Sequence, residues 1–156
     1  MAKLTKEDME AIKEYARSPM AWFRHESTAA GNTKLRKLMI RCGVEGYGRW
    51  WLLCEFLASV TGHKFSLQTE EDMTLLVQTL QFQGGAFNDL VARDACHKFI
   101  DNLLDLDLVQ VNEDGEIHCE HMDEEALYFG RQRYNASKGG SSRRKKKPAE
   151  VSDEAE

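Results

Sequence analysis

The apolar positions of this chain fall into short periodic stretches divided by caps and glycines, and one stretch differs from the rest. Over positions 44–60, apolar side chains cover nearly the whole circumference of a 3.6-residue helix. Tyr47, Trp51, Cys54 and Ala58 lie on one side, and Leu53, Phe56, Leu57 and Val60 on the other. A helix apolar all round belongs in a core. Interrupted by Arg49 and Glu55, this one is also too short to span a bilayer. The pattern therefore predicts a buried central helix over 44–61 with Trp51 as a core side chain. Gly46 and Gly48 each weaken that helix by about 1 kcal/mol relative to Ala. Their missing side chains are expected to let a neighbouring element approach its first turn.

The other elements follow from the same pattern. Thr5 with Asp8 three residues on predicts an N-cap and an acidic first turn. Met9, Ile12, Lys13 and Ala16 then repeat at helical spacing, and Pro19 ends the helix near Ser18. Its apolar stripe is thin, which suits docking on the rest of the chain or on a second copy. Positions 20–25 read as extended and 28–32 as a loop, from which Asn32 or Thr33 caps an amphipathic helix over 33–42. Leu35, Leu38, Met39 and Cys42 form its inner stripe, and Gly43 is its stop. Alternation at 64–67 predicts a short strand. Thr69 and Asp72 repeat the cap pattern before a helix whose inner face is Met73, Leu76, Val77 and Leu80. Positions 81–87 hold Gly84 and Gly85 and read as a turn. Asn88 then caps a helix over 88–104 with Ala92, Cys96, Phe99, Ile100 and Leu103 inward. Positions 108–111 and 116–119 flank Asn112-Glu113-Asp114-Gly115, a β-hairpin signature in which Val109 pairs its face with Val111, and Ile117 with Cys119. A last helix is expected over 122–135.

Helix, short strand, helix, turn, helix and hairpin is the order of a winged helix-turn-helix. The predicted fold is mainly α (α+β), with a small β-hairpin as the wing. An extra N-terminal helix over 1–18 precedes the domain at 19–137. A charged tail over 138–156 follows, lacks an apolar pattern, and is expected to be disordered.

Composition places 156 residues, 42% hydrophobic and 30% charged, in the globular class. No apolar leader opens the chain, so a cytoplasmic protein with no membrane contact is expected. Cys42, Cys54, Cys96 and Cys119 are far apart, which reads as reduced, mostly buried thiols. The net charge of −5 hides an asymmetry: residues 1–63 carry ten basic and seven acidic side chains, residues 64–137 five and fifteen, and residues 138–156 six and four. Such an imbalance bears on binding surfaces.

Two basic features are candidates for nucleic acid. Lys34, Lys37 and Arg41 share a stripe roughly 115° from the inner face of helix 33–42, by the helical wheel, with Arg36 nearby. They suit sequence-independent phosphate contact or an ordinary solvated face. The run Arg143, Arg144, Lys145, Lys146 and Lys147 on a flexible tether suits nucleic acid or an acidic partner, or serves solubility. The second helix of the motif normally enters the major groove. Here its outward face carries Asp94, His97, Lys98, Asp101 and Asp105, and the wing tip carries Glu113, Asp114 and Glu116. Both have the wrong sign for phosphate.

Other constellations carry less. His118, Cys119 and His121 point to opposite sides of a strand, so no metal site is expected. Asp123, Glu124 and Glu125 open a helix, where they favour its dipole. His25 reads as a core or capping histidine. Neither a phosphate-binding glycine loop nor a nucleophile elbow occurs, so neither an enzyme nor a cofactor is expected.

Several residues together resemble a known family: Trp22-Phe23-x-His25, then Lys34 and Leu38, then Gly43-x-Glu45-Gly46-Tyr47-Gly48 leading to Trp51, Leu53 and Glu55, and finally Ala136-Ser137-Lys138-Gly139-Gly140. Over about residues 20–140 the chain is similar to the N-terminal domain of DnaD-like replication proteins of phages and mobile elements. That resemblance implies a winged-helix module that contacts DNA, self-associates and recruits replication or helicase-loading proteins during initiation. The expected function is thus a non-enzymatic DNA-binding and assembly module, with weak, largely sequence-tolerant DNA contact and a homo-oligomer as a possible state. The competing readings are a winged-helix transcriptional regulator and a protein-binding adaptor that uses the acidic face.

Overall fold

The computed structural model describes residues 4–82 and 90–144. The chain is mainly helical with one small antiparallel sheet. Its elements are α1 (Lys6–Ala16), α2 (Thr33–Ser59), α3 (Glu70–Thr79), α4 (Leu90–Asp105), β1 (Gln110–Val111), β2 (Ile117–His118) and α5 (Glu120–Arg144).

Local chemistry sets most of the boundaries. Thr5 and Asp8 close a reciprocal capping box on α1, and Thr69 and Asp72 close another on α3. The side chain of Asn32, rather than Thr33, accepts from the amides of Lys34 and Leu35 and so caps α2. Within α2 the backbone breaks at Gly43, where φ is 68° and ψ −174°. That region is open essentially to glycine alone, so the amphipathic half over 33–42 and the apolar half over 44–59 turn against each other. A Cβ at Gly46 would lie 2.5 Å from the Cβ of Cys42, whereas one at Gly48 would meet nothing within 4 Å. Close approach therefore explains Gly46 and does not explain Gly48.

The second half of α2 is the centre of the core. Trp50, Leu53, Cys54, Leu57 and Ala58 are buried, among Leu38 from its first half, Met73, Leu76 and Leu80 from α3 and its end, Cys96, Phe99, Ile100 and Leu103 from α4, and Met122 from α5. The expected core tryptophan shifts by one position: Trp50 is 3% exposed, while Trp51 is only partly buried. A helix apolar on all sides has no phase in its pattern, so the wheel could not choose between the two. All four cysteines are free, and burial pushes the Cys96 thiol up to about 12.

The sheet is a hairpin in register Gln110 with His118 and Val111 with Ile117. The expected strand at 64–67 reduces to one antiparallel bridge, Phe65 with Ile117, closed by both backbone hydrogen bonds. Ile117 and Cys119 point into the core together. Val109 is buried too, but Val111, near the hairpin end, is exposed. The turn at 81–87 and the cap at Asn88 fall largely outside the described residues.

One feature decides between two sequence expectations and another departs from one. The thin stripe of α1 docks on the chain's own α5, where Gly130 lets the helices meet. A Cβ there would lie 2.5 Å from the Ile12 carbonyl oxygen and 3.0 Å from the Ala16 Cβ. Second, the tail does not begin at 138, because α5 continues to Arg144. Tertiary contact offsets the poor helix propensity of Ser137-Lys138-Gly139-Gly140. Lys138 Nζ sits 4.5 Å from the Tyr134 ring centroid and 2.9 Å from Asp8 Oδ1, and the Tyr134 hydroxyl donates to the same carboxylate. These bonds hold the Asp8 carboxyl well below its ordinary range, the Tyr134 bond contributing most. Residues 145–156 lie outside the described residues.

His63 joins the ends of two helices. Its buried ring places Nδ1 2.9 Å from the Leu57 carbonyl oxygen and Nε2 2.8 Å from that of Ala16.

Two substitutions test this packing. Trp50→Ala should cost about 3–5 kcal/mol, as large aromatic truncations in cores do, and Trp51→Ala should cost clearly less, read by urea unfolding. Gly130→Leu should destabilise by about 1–3 kcal/mol through overpacking. Limited proteolysis should then show α1 released first.

Candidate nucleic-acid interface

The amphipathic half of α2 lies alongside the end of α4, and this neighbour decides what its cations do. Lys34 Nζ donates to the Asp107 carbonyl oxygen at 2.7 Å and to its carboxylate at 2.6 Å. Arg41 donates to Asp105 at 2.5 Å and to the Asn102 side-chain oxygen at 3.2 Å. Two of the cations expected to face phosphate are thus held by carboxylates at the end of α4. Arg36 and Lys37, turned further round the helix, are exposed and have no ion pair among the described residues. The stripe therefore divides into an inward pair and an outward pair. Beside the outward pair, Ile40 and Val44 are also exposed.

The hydrogen bond from Lys34, then that from Gln110, holds the Asp107 carboxyl below its ordinary range. A carboxyl depressed in the folded state adds stability above its unfolded value, and that contribution disappears as pH falls through the folded value. The α2–α4 clasp should consequently weaken in acid.

The outward face of α4 is exposed as expected. Asp94, His97, Lys98, Asp101 and Asp105 all reach solvent, with Lys98 paired to Asp94 at 2.7 Å. At the hairpin, Glu113 and Asp114 are exposed, while Glu116 is held by Lys64 and Asn112. Of the basic run, Arg143 and Arg144 form the last residues of α5, and Lys145, Lys146 and Lys147 lie outside the described residues. A Cβ at Gly139 would meet nothing within 4 Å, so that face of the helix is open.

On the other flank of α2 a cleft of about 600 Å³ opens, lined by residues that include Glu26, Lys34, Trp51, Glu120, His121 and Glu124. Residues far apart in sequence converge beside it. The His25 ring stacks on Trp51 at 3.7 Å, and its Nε2 lies 3.3 Å from the Tyr47 hydroxyl. Phe23 lies parallel to Trp51 at 6.1 Å, and His121 meets Trp51 edge-on at 6.0 Å. His25 is thus an exposed, stacked side chain and not a core one. Trp51 Nε1 and His121 Nε2 are shut from solvent without a hydrogen-bond partner among the described residues, and each such atom costs about 1–3 kcal/mol. Glu26, Glu120 and Glu124 form no salt bridge among the described residues, although the charge of Glu26 acts on Arg24.

Sequence reasoning missed the pair that anchors this flank. Arg24 donates its backbone amide to Glu125 at 3.0 Å and its Nε at 2.8 Å, while its ring-facing guanidinium covers Tyr128 at 4.5 Å. Glu125 is 3% exposed. Burial raises its carboxyl, but the bonds and charge of Arg24 outweigh that and hold it below the ordinary range. The partners are 101 residues apart, so no local pattern signals them. His118 Nδ1 lies 2.6 Å from Asp123 Oδ2, which ties the hairpin to α5. Among the described residues no group of three or more metal-binding side chains converges, and no helix is long and apolar enough to cross a membrane.

Compared with protein-family models, curated proteins and solved structures, the chain matches none.

Acid should reveal the clasp directly. The Asp107 side-chain carbon resonance should titrate below the ordinary aspartate range, and Lys34→Ala should return it to that range. The thermal cost of this variant should stay under about 1 kcal/mol, as for solvent-exposed pairs.

Proposed function

We propose that this chain is a winged-helix module that binds DNA weakly and without marked sequence preference. In this reading it serves as a DNA-binding and assembly module in replication initiation of a phage or mobile element. The fold part is supported by the Phe65–Ile117 bridge beside the hairpin, which brings three short antiparallel segments together. The replication context rests on the resemblance to DnaD-like proteins.

The observation that carries the DNA reading is that α5 ends in Arg143 and Arg144, with Lys145, Lys146 and Lys147 next in the chain. Five adjacent cations suit phosphate contact. Arg36 and Lys37 add a second contact on α2, and Lys34 and Arg41 add less because Asp107 and Asp105 already hold them. The exposed carboxylates of α4 oppose its entry into a groove, which disfavours a regulator that reads bases. A protein-binding adaptor is the second reading, favoured by the exposed Ile40 and Val44 beside the acidic α4.

Fluorescence anisotropy over a salt series separates these readings. Each lost phosphate contact should lower the log–log salt slope by about 0.7–0.9. Replacing Arg143, Arg144, Lys145, Lys146 and Lys147 by Ala should remove several such steps, and Arg36→Ala with Lys37→Ala one or two more. Lys34→Ala with Arg41→Ala should remove less than one. Discrimination of roughly a thousandfold for one duplex over random DNA would favour the regulator, and no binding at low salt would favour the adaptor.

A further inference from the structure

We propose that the acidic cleft beside Trp51 receives the basic run 143–147 of a second copy of this chain, so that copies associate head to tail. Three observations converge on that occupant. The cleft is a formed cavity of about 600 Å³ lined by Glu26, Glu120 and Glu124, none of which forms a salt bridge among the described residues, although the charge of Glu26 acts on Arg24. Its one lysine, Lys34, is already committed to Asp107. The cleft thus presents net negative charge around an indole wall, which suits long cationic side chains that lay apolar stems on a ring and keep their charge at the rim.

The wall is aromatic as well as acidic, since Trp51 and His121 line the cleft together with the three carboxylates. Lysine and arginine side chains, apolar along the stem and cationic at the end, suit such a lining.

Charge complementarity then selects the run, and geometry excludes the chain's own copy. Glu120, His121 and Glu124 sit in the first turns of α5, and Arg144 ends it. At 1.5 Å per residue the helix separates them by about 36 Å. Lys147 is three residues further on, a reach of about 10 Å, so the run cannot fold back into the cleft of its own molecule. A second copy carries the same run without that constraint. An interface between two different patches of one molecule is heterologous and propagates into rings or open chains. The run cannot occupy the cleft and a phosphate backbone at once, so DNA should compete with assembly. This inference does not depend on the DNA reading.

Sedimentation velocity on the full chain at low salt tests it. The sedimentation coefficient should rise with concentration and return to the monomer value when salt screens the contact. The triple variant Lys145→Glu, Lys146→Glu, Lys147→Glu, whose changes lie beyond α5, should stay monomeric. The variant Glu26→Lys, Glu120→Lys, Glu124→Lys should also stay monomeric alone, and an equimolar mixture of the two should associate again. Glu26→Gln, Glu120→Gln, Glu124→Gln should weaken association by about tenfold or more while leaving affinity for random duplex unchanged at concentrations where the parent chain is monomeric, which separates this contact from DNA binding. A full chain that stays monomeric at every concentration would overturn the proposal. So would a lysine-reversed chain that assembles as the parent does.

Discussion

The backbone conformation at Gly43 is the constraint on which the arrangement depends. With φ at 68° and ψ at −174°, it bends one long apolar helix into two halves with different neighbours. The later half runs through the core and gives α3, α4 and α5 a common surface to bury. The earlier half lies beside the end of α4, where Asp105 and Asp107 face Arg41 and Lys34. A straight helix would carry those cations to a different neighbourhood. Any residue with a Cβ at this position would meet a strain of about 1–3 kcal/mol, comparable with the net value of several surface contacts.

That bend also determines how charge is presented. The excess of acid in the middle of the chain and of base near both ends could have produced two separate opposed faces. Instead, part of each is consumed at the α2–α4 contact. What remains outward among the described residues is uneven: Arg36 and Lys37 on α2, and carboxylates on α4 and around the Trp51 cleft.

Much of the fold was legible because its signals are local. The capping boxes of α1 and α3, the Asn32 cap, the break at Gly43 and the loop at Asn112-Glu113-Asp114-Gly115 depend on residues at most four apart. The choice of Trp50 over Trp51 was not legible, since a helix apolar on every side carries no rotational phase. The length of α5 was hidden as well. Gly139 and Gly140 argue against helix by propensity, and it is the bonds of Tyr134 and Lys138 to Asp8, at the other end of the sequence, that extend it. At the candidate interface, sequence located Lys34 and Arg41 but not their partners, and it missed Arg24 altogether. Lys34 and Asp107 are 73 residues apart, and Arg24 and Glu125 are 101 apart. Pairing over such distances is a product of the packed core and leaves no periodic trace.

The central claim is that DNA contact falls to the end of α5 and the outward pair on α2, because α4 and its carboxylates are turned to other uses. Amide chemical-shift mapping during titration of the full chain with a short random duplex tests that claim residue by residue. The account predicts the largest changes at residues 139–147, smaller ones at Arg36 and Lys37, and none centred on α4. Perturbations centred on Asp94, His97 and Asp101, with residues 139–147 unmoved, would contradict it.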